Sequence, residues 1–183
     1  MVQNNYFLDL VRKRYSCRSY INKSIQREKI ERCLEAARLA PSACNSQPWR
    51  FIVVEAGSLK DKLCKKAFSG IYSMNGFVAG APVLVVVIRE ASKCVTRLGG
   101  LVRGLDFALV DIGIASEHFV LQATEEGLAT SWIGCFDSDA VKSILGLPKK
   151  VRVDILISLG YPALQTNGVK DRKDIKEIAE FRV

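Results

Sequence analysis

The chain reads as a layered domain of α/β or α+β type, on three observations. Apolar segments of helical period alternate with short apolar runs in the order α-α-β-α-β-α-β-α-β. The run Pro82-Val-Leu-Val-Val-Val-Ile88 is β-branched and apolar without alternation, the mark of a strand buried on both faces. Leu105 to Glu126 is apolar nearly all round, which predicts a central, buried helix. A length of 183 residues suits a single domain over 1–183. With 49% hydrophobic and 25% charged residues the composition is globular, which excludes general disorder. Chain order alone does not decide strand order.

Tyr6, Phe7, Leu10 and Val11 recur at helical spacing, so the first dozen residues predict an amphipathic helix running into Arg14-Tyr-Ser-Cys-Arg-Ser-Tyr20. A second helix fits Ile25 to Ala40, with Ser24 as cap and Ile30, Cys33, Leu34 and Ala37 on one face. Pro41 ends it, because the residue before a proline is pushed out of the α region. The loop Pro41 to Pro48 leads into a strand, Trp49 to Glu55, and then a short helix, Ser58 to Ala67. After the strand Pro82–Ile88, residues 89–104 form a loop carrying Gly99, Gly100 and Gly104. Gly127 caps the long helix. A strand from Ala129 to Phe136 follows, then a short helix to Leu145 capped by Asp137-Ser138, and a strand from Arg152 to Leu159. The remainder is a polar tail.

The longest apolar stretch, Phe77 to Ile88, is broken by Gly80 and Pro82 and falls short of the roughly 20 residues a bilayer demands. The N-terminus has no basic segment followed by a long apolar one, so no secretory signal is expected. Six cysteines sit far apart without a C-x-x-C, and His118 is the single histidine. That argues against metal and iron–sulfur sites and for reduced thiols in a cytoplasmic protein. Of the formal charge of +8, a net +6 lies between Arg12 and Arg38, where nine basic residues meet three acidic ones. Nucleic-acid binding calls for a recognisable module or aromatic residues among the basic ones, and neither is visible. A solvated face and an anion site remain.

Three polar segments lie where helices meet strands. Arg14-Tyr-Ser-Cys-Arg18 offers two guanidinium forks and a hydroxyl, which suit phosphate oxygens. In Pro41–Pro48, Asn45 and Gln47 each carry donors and an acceptor, which suits the edge of a heteroaromatic ring. In Trp132-Ile-Gly-Cys135 the glycine lets backbone N–H groups approach a flat ligand. None supplies a nucleophile–base pair: His118 sits inside the apolar helix, and Cys44 and Cys135 have no evident base. Phosphate grips and amide edges without acid, base or metal suggest that a cofactor does the chemistry.

These residues resemble a known signature. Arg14-x-Ser16-x-Arg18, then Ala40-Pro-Ser42-x-x-Asn45-x-Gln47-Pro-Trp49-x-Phe51, is similar to that of the nitroreductase-like FMN-dependent oxidoreductases. Gly127-Leu-x-x-x-Trp132-Ile-Gly134, Gly146-Leu-Pro148, Leu159-Gly-Tyr-Pro162 and Arg172-Lys173 follow in the family's order. The resemblance spans nearly the whole chain. It implies an α+β sandwich, a central mixed β-sheet flanked by helices, in an intertwined homodimer with two FMN sites at the interface. Arg14, Ser16 and Arg18 would hold the phosphate and ribityl chain, helped by Arg172 and Lys173. Pro41, Ser42 and Asn45 would come from the other subunit, with Gln47 near the same flavin. The backbone at Ile133 and Gly134 would approach the flavin N5, and Asn75 is a further ribityl candidate. The long apolar helix would form the core of the dimer.

Three positions depart from the family's pattern: Tyr15 stands where a second basic residue or a histidine is frequent, Cys44 where a small glycine is common and Ala129 where the third segment often has glycine. The short 89–104 stretch implies an open site with broad substrate acceptance. The expected reaction passes electrons from NADH or NADPH through FMN to a nitroaromatic, quinone or similar small acceptor. No G-x-G-x-x-G follows a strand, so the nicotinamide would bind transiently on the flavin face. The same fold also serves reductive dehalogenation, flavin destruction and peptide oxidation. A flavin-binding or basic interaction protein without turnover is the reading from another class.

Overall fold

The computed structural model describes residues 5–91, 104–164 and 170–182. The elements are α1 (Tyr6–Lys13), α2 (Arg27–Arg38), β1 (Trp49–Glu55), α3 (Ser58–Ala67), β2 (Val83–Arg89), α4 (Phe107–Glu125), β3 (Ala129–Ile133), α5 (Ser138–Ile144), β4 (Arg152–Gly160) and α6 (Ile175–Ile178). The expected helices and strands are present in the expected order. Three pieces are additional: a 3-10 turn over Ala43–Asn45, a 3-10 run over Gly70–Gly80, and α6, which opens with a capping box between Asp174 and Glu177. Most of the 89–104 loop, with Cys94, Gly99 and Gly100, lies outside the described residues.

The strand order is β1-β2-β4-β3, and each neighbouring pair is antiparallel. The expected mixed sheet is thereby corrected, and of the two fold classes the arrangement is α+β. β2 and β3 run the same way across the α4 connection, but β4 is inserted between them. Among the described residues a single parallel bridge remains, Ser16 with Thr130, on the outer edge of β3.

Alternate side chains of β2 serve two cores. Val83, Val85 and Val87 pack with Ile30, Cys33 and Ala37 of α2 and with Ile112, Phe119 and Val120 of α4. Leu84, Val86 and Ile88 pack with Leu63 and Ala67 of α3 and Val141 of α5. The unbroken apolar run is explained by helices on both faces of the sheet.

Boundaries shift where tertiary contacts win. α2 starts at Arg27 behind an extended Gln26, so Ser24 is not its cap; Ile25 is drawn into the α2–α4 core instead. α4 starts at Phe107 because the Asp106 carboxylate accepts the Ala108 N–H at 3.2 Å. Asp106 also pairs with Arg89, the last residue of β2, whose guanidinium reaches both oxygens of Asp154 at 2.8 and 2.5 Å. α4 ends as expected: Gly127, at φ 73°, donates to Thr124, and Leu128 donates to Ala123.

β3 stops three residues short of Phe136, because Phe136 turns into the core and the Asp137 N–H bonds to the Ala67 carbonyl at 3.0 Å. Gly160 is required where it stands, since a Cβ there would lie 2.6 Å from Pro82 and 2.7 Å from Tyr20.

Within one chain α4 is not buried all round. Ile112, Ala115, Phe119 and Ala123 face the core, but Leu109 and Val110 are exposed. α1 buries no residue, and Tyr6 and Phe7 face outward. Ile175, Ile178 and Phe181 make a third apolar stripe, with Phe181 88% exposed. Among the described residues no helix is long and apolar enough to cross a membrane.

Candidate functional site

The Arg14–Tyr20 segment leaves α1 and lies along the free edge of β3. The Cys17 N–H donates to the Thr130 carbonyl at 2.8 Å, and Cys17 itself is buried, so Ser16 and Arg18 on either side point outward. Tyr20 anchors the far end. Its hydroxyl lies 2.7 Å from Ser158 Oγ and donates to the Cys17 carbonyl at 2.9 Å, and burial pushes its pKa well above the ordinary phenol value. Tyr15 donates to the Leu164 carbonyl at 2.8 Å, so it ties down the exit from β4; burial first, then the Cys17 thiol, push its pKa up to about 12.

Positive charge converges beside this segment. Lys170 donates to the Val11 carbonyl at 2.6 Å, and burial together with Arg14 and Arg172 holds its pKa below the usual lysine value. Glu117 of α4 is the local counter-charge: burial raises its pKa, and Arg14 and Lys170 pull it back. Arg18 stacks 6.0 Å from the centre of the Phe77 ring. Arg172 and Lys173 lie on the exposed tail.

At the end of β3, Ile133 is buried, while Gly134 is exposed with no atom of the chain within 4 Å of where a Cβ would stand. Asn75 donates to the Cys135 carbonyl at 2.8 Å, which fixes the turn beyond the strand.

The Pro41–Pro48 loop is built differently. Cys44, Asn45 and Gln47 have φ of 53°, 50° and 47°, the left-handed region that costs a non-glycine residue on the order of 1–3 kcal/mol. Ser42 Oγ accepts the Gln47 N–H at 2.9 Å, and Gln47 Nε2 donates to Asn45 Oδ1 at 2.8 Å. That pairing leaves the Asn45 amide to donate and Gln47 Oε1 to accept on an exposed edge. The Ala43 N–H is held at 3.0 Å by Asp111 of α4.

The sequence-predicted residues thus form two groups. Arg14, Ser16 and Arg18 share one neighbourhood with β3 and the start of the tail. Pro41, Ser42, Asn45 and Gln47 lead into β1, at the opposite edge of the sheet. Three inter-strand spacings separate those edges, about 14 Å.

Three residues of this constellation were missed from sequence: Asp111, Glu117 and Lys170. A carboxylate inside an otherwise apolar helix was the available signal for the first two. Nothing in the tail's mixed charge singled out Lys170. His118 sits 3.2 Å from the Ala36 carbonyl through Nδ1, as a packed histidine does.

The model of the nitroreductase family matches residues 11–73 and 72–161. The chain belongs to the nitroreductase family. An Archaeoglobus fulgidus protein provisionally named NADH dehydrogenase/NAD(P)H nitroreductase is 32% identical over 174 residues, covering 93% of this chain and 89% of its own. The iodotyrosine deiodinase of Thermotoga neapolitana is 25% identical, covering 84% and 87%. A nitroreductase family protein of Clostridium novyi superposes with a TM-score of 0.75 at 33% identity, over 85% of this chain and 86% of its own. An FMN-dependent nitroreductase of Clostridium difficile superposes at 0.74 and 25% identity, over 96% and 99%.

As a member of the nitroreductase family, the chain is an oxidoreductase with FMN as cofactor and NAD(P)H as electron donor. Its residues fit that group. Burial first, and then Arg14 and Arg172, lower the pKa of Lys170, so three cationic side chains gather where a phosphate would be held. The open backbone at Gly134 and the paired amide edge of Asn45 and Gln47 suit a flat, hydrogen-bonding ring.

Proposed function

We propose that the chain is a cytoplasmic, homodimeric NAD(P)H oxidoreductase, a single nitroreductase-like domain that reduces a nitroaromatic, quinone or similar small acceptor. Each FMN site combines Arg14, Ser16, Arg18, Ile133, Gly134, Arg172 and Lys173 of one protomer with Pro41, Ser42, Asn45 and Gln47 of the other. The observation that carries this reading is the separation of the two groups on opposite sheet edges, combined with three uncovered apolar surfaces on α1, α4 and the tail. A second copy would cover those surfaces and bring the groups together.

Bound FMN supplies a two-electron relay between nicotinamide and acceptor. Arg14 and Arg18 neutralise phosphate, with Arg172 and Lys170 adding to the local potential. The same positive field would favour the negative charge of a reduced flavin. Asn45 would donate and Gln47 would accept along one edge of the ring and so orient it. The exposed Gly134 leaves room for donor and acceptor to reach the reacting face in turn.

The test is an anaerobic titration of the purified protein with NADH and NADPH, followed by absorption, with sedimentation of the same sample. Flavin bands that bleach and then recover with a quinone or nitroaromatic, in a dimer, are expected. A colourless monomer that does not take up added FMN would overturn the reading. The Thermotoga deiodinase relative favours one further assay, release of iodide from an iodinated phenol.

A further inference from the structure

Asp111 lies in the second turn of α4 and is 3% exposed. Its Oδ1 accepts the Ala43 N–H, and its Oδ2 is buried with no hydrogen-bond partner. A buried carboxylate oxygen without a partner costs the fold on the order of 1–3 kcal/mol, which offsets what the bond on the other oxygen contributes. Packing therefore does not call for Asp111.

What it does hold is the loop. Ala43 is the first residue of the 3-10 turn, and directly after it Cys44 and Asn45 enter the left-handed region, with Gln47 two residues on. Strained backbone of this kind persists only where its surroundings over-determine it. Ser42 closes the loop from within, through its bond to the Gln47 N–H. Asp111 fixes it from outside, to a helix whose inner face is locked into the core by Ile112, Ala115 and Phe119.

We infer that Asp111 is a positioning residue for the flavin half-site on the Pro41–Gln47 loop. Acting through Ala43, its carboxylate sets the loop backbone and thereby the directions in which Asn45 and Gln47 present their amides. This rests on the reading of that loop as one half of the FMN site. A carboxylate beneath the loop brings the fold no net stability and is retained for geometry.

The test compares wild type, Asp111→Leu and Asp111→Asn. FMN dissociation constants are measured by quenching of flavin fluorescence, and thermal midpoints are measured without added FMN. For Asp111→Leu the relief of the unpartnered Oδ2 offsets the lost bond from the Ala43 N–H, so the midpoint is expected to stay near that of wild type, while FMN affinity falls about tenfold, the value of one hydrogen bond. Asp111→Asn keeps an acceptor for Ala43 and is expected to bind FMN within about threefold of wild type.

Wild-type FMN affinity in the Leu variant would overturn the inference. So would a midpoint that falls together with affinity, or an Asn variant as weak as the Leu variant. Should Asp111→Leu fail to fold, the Asn variant decides: near-wild-type affinity supports the inference, and loss of affinity overturns it. A wild-type protein that takes up no FMN would instead overturn the proposed function, and this inference with it.

Discussion

The two halves of the candidate site are held in place by different means. The Arg14–Tyr20 segment is fastened by its backbone to β3 and by the half-buried Tyr20 to β4, which leaves Ser16 and Arg18 projecting from ordinary extended chain. The Pro41–Gln47 loop is fastened by side chains, Ser42 and Asp111, and holds three non-glycine residues in left-handed backbone. On the proposed reading the first half would recognise by charge and tolerate small displacements. The second would recognise by hydrogen-bond direction and would not. Substitutions in the two regions should therefore fail in distinguishable ways.

The largest effect is expected from Arg14→Ala combined with Arg18→Ala. Two charge-assisted bonds to phosphate at about 1.5–3 kcal/mol each amount to roughly a thousandfold loss of FMN affinity. A fluorescence titration checks it, and the thermal midpoint of the flavin-free protein should barely move. If affinity persists, the charge half of the comparison is wrong.

Next comes Tyr20→Phe, which removes the hydroxyl from Ser158 and from the Cys17 carbonyl. A stability loss of about 1–2 kcal/mol is expected, visible in a urea melt. FMN affinity should hold, because the backbone pairing with Thr130 stays. Ser42→Ala should do the converse. It loses about 0.5–1 kcal/mol of loop order, so FMN binds about threefold to fivefold more weakly with little change in midpoint.

The smallest effect concerns Glu117. Its pKa is raised by burial above the ordinary 4.5, so the folded state binds its proton more tightly than the unfolded chain does. The stabilisation this provides is complete below pH 4.5 and is lost as pH rises through the raised value. Glu117→Gln should therefore be more stable than wild type at neutral pH, and the advantage should vanish below about pH 4.5 in melts across that range. Removing this counter-charge should also tighten FMN slightly, by way of Arg14 and Lys170.

Patterning revealed most of the elements because each of them buries one apolar stripe or run. Trp49–Glu55 and Ser58–Ala67 were legible to the residue. What escaped depends on partners distant in the chain. Ser24 reads as a cap, but burial of Ile25 moves the start of α2; Phe136 reads as strand, but its turn into the core ends β3 at Ile133. The antiparallel sheet was hidden because the insertion of β4 between β2 and β3 leaves no trace in local composition.

The polar residues of the site were readable as chemistry, and the family resemblance gave them roles. Their separation across the sheet was not readable, and neither was the bond from Asp111 to Ala43, which joins residues 68 positions apart.

Arg89 closes β2 and Asp106 caps α4, and the two are joined as an ion pair, with Asp154 gripping the same guanidinium. The intervening stretch of chain is thus clipped together at its base, independently of whatever lies between. Closing a loop whose ends are already held costs only about 0.6 kcal/mol for each doubling of its length. Insertions between Arg89 and Asp106 should be cheap for the fold. This clip makes the interval between Arg89 and Asp106 a natural place for evolution or design to add chain, leaving the sheet unaltered.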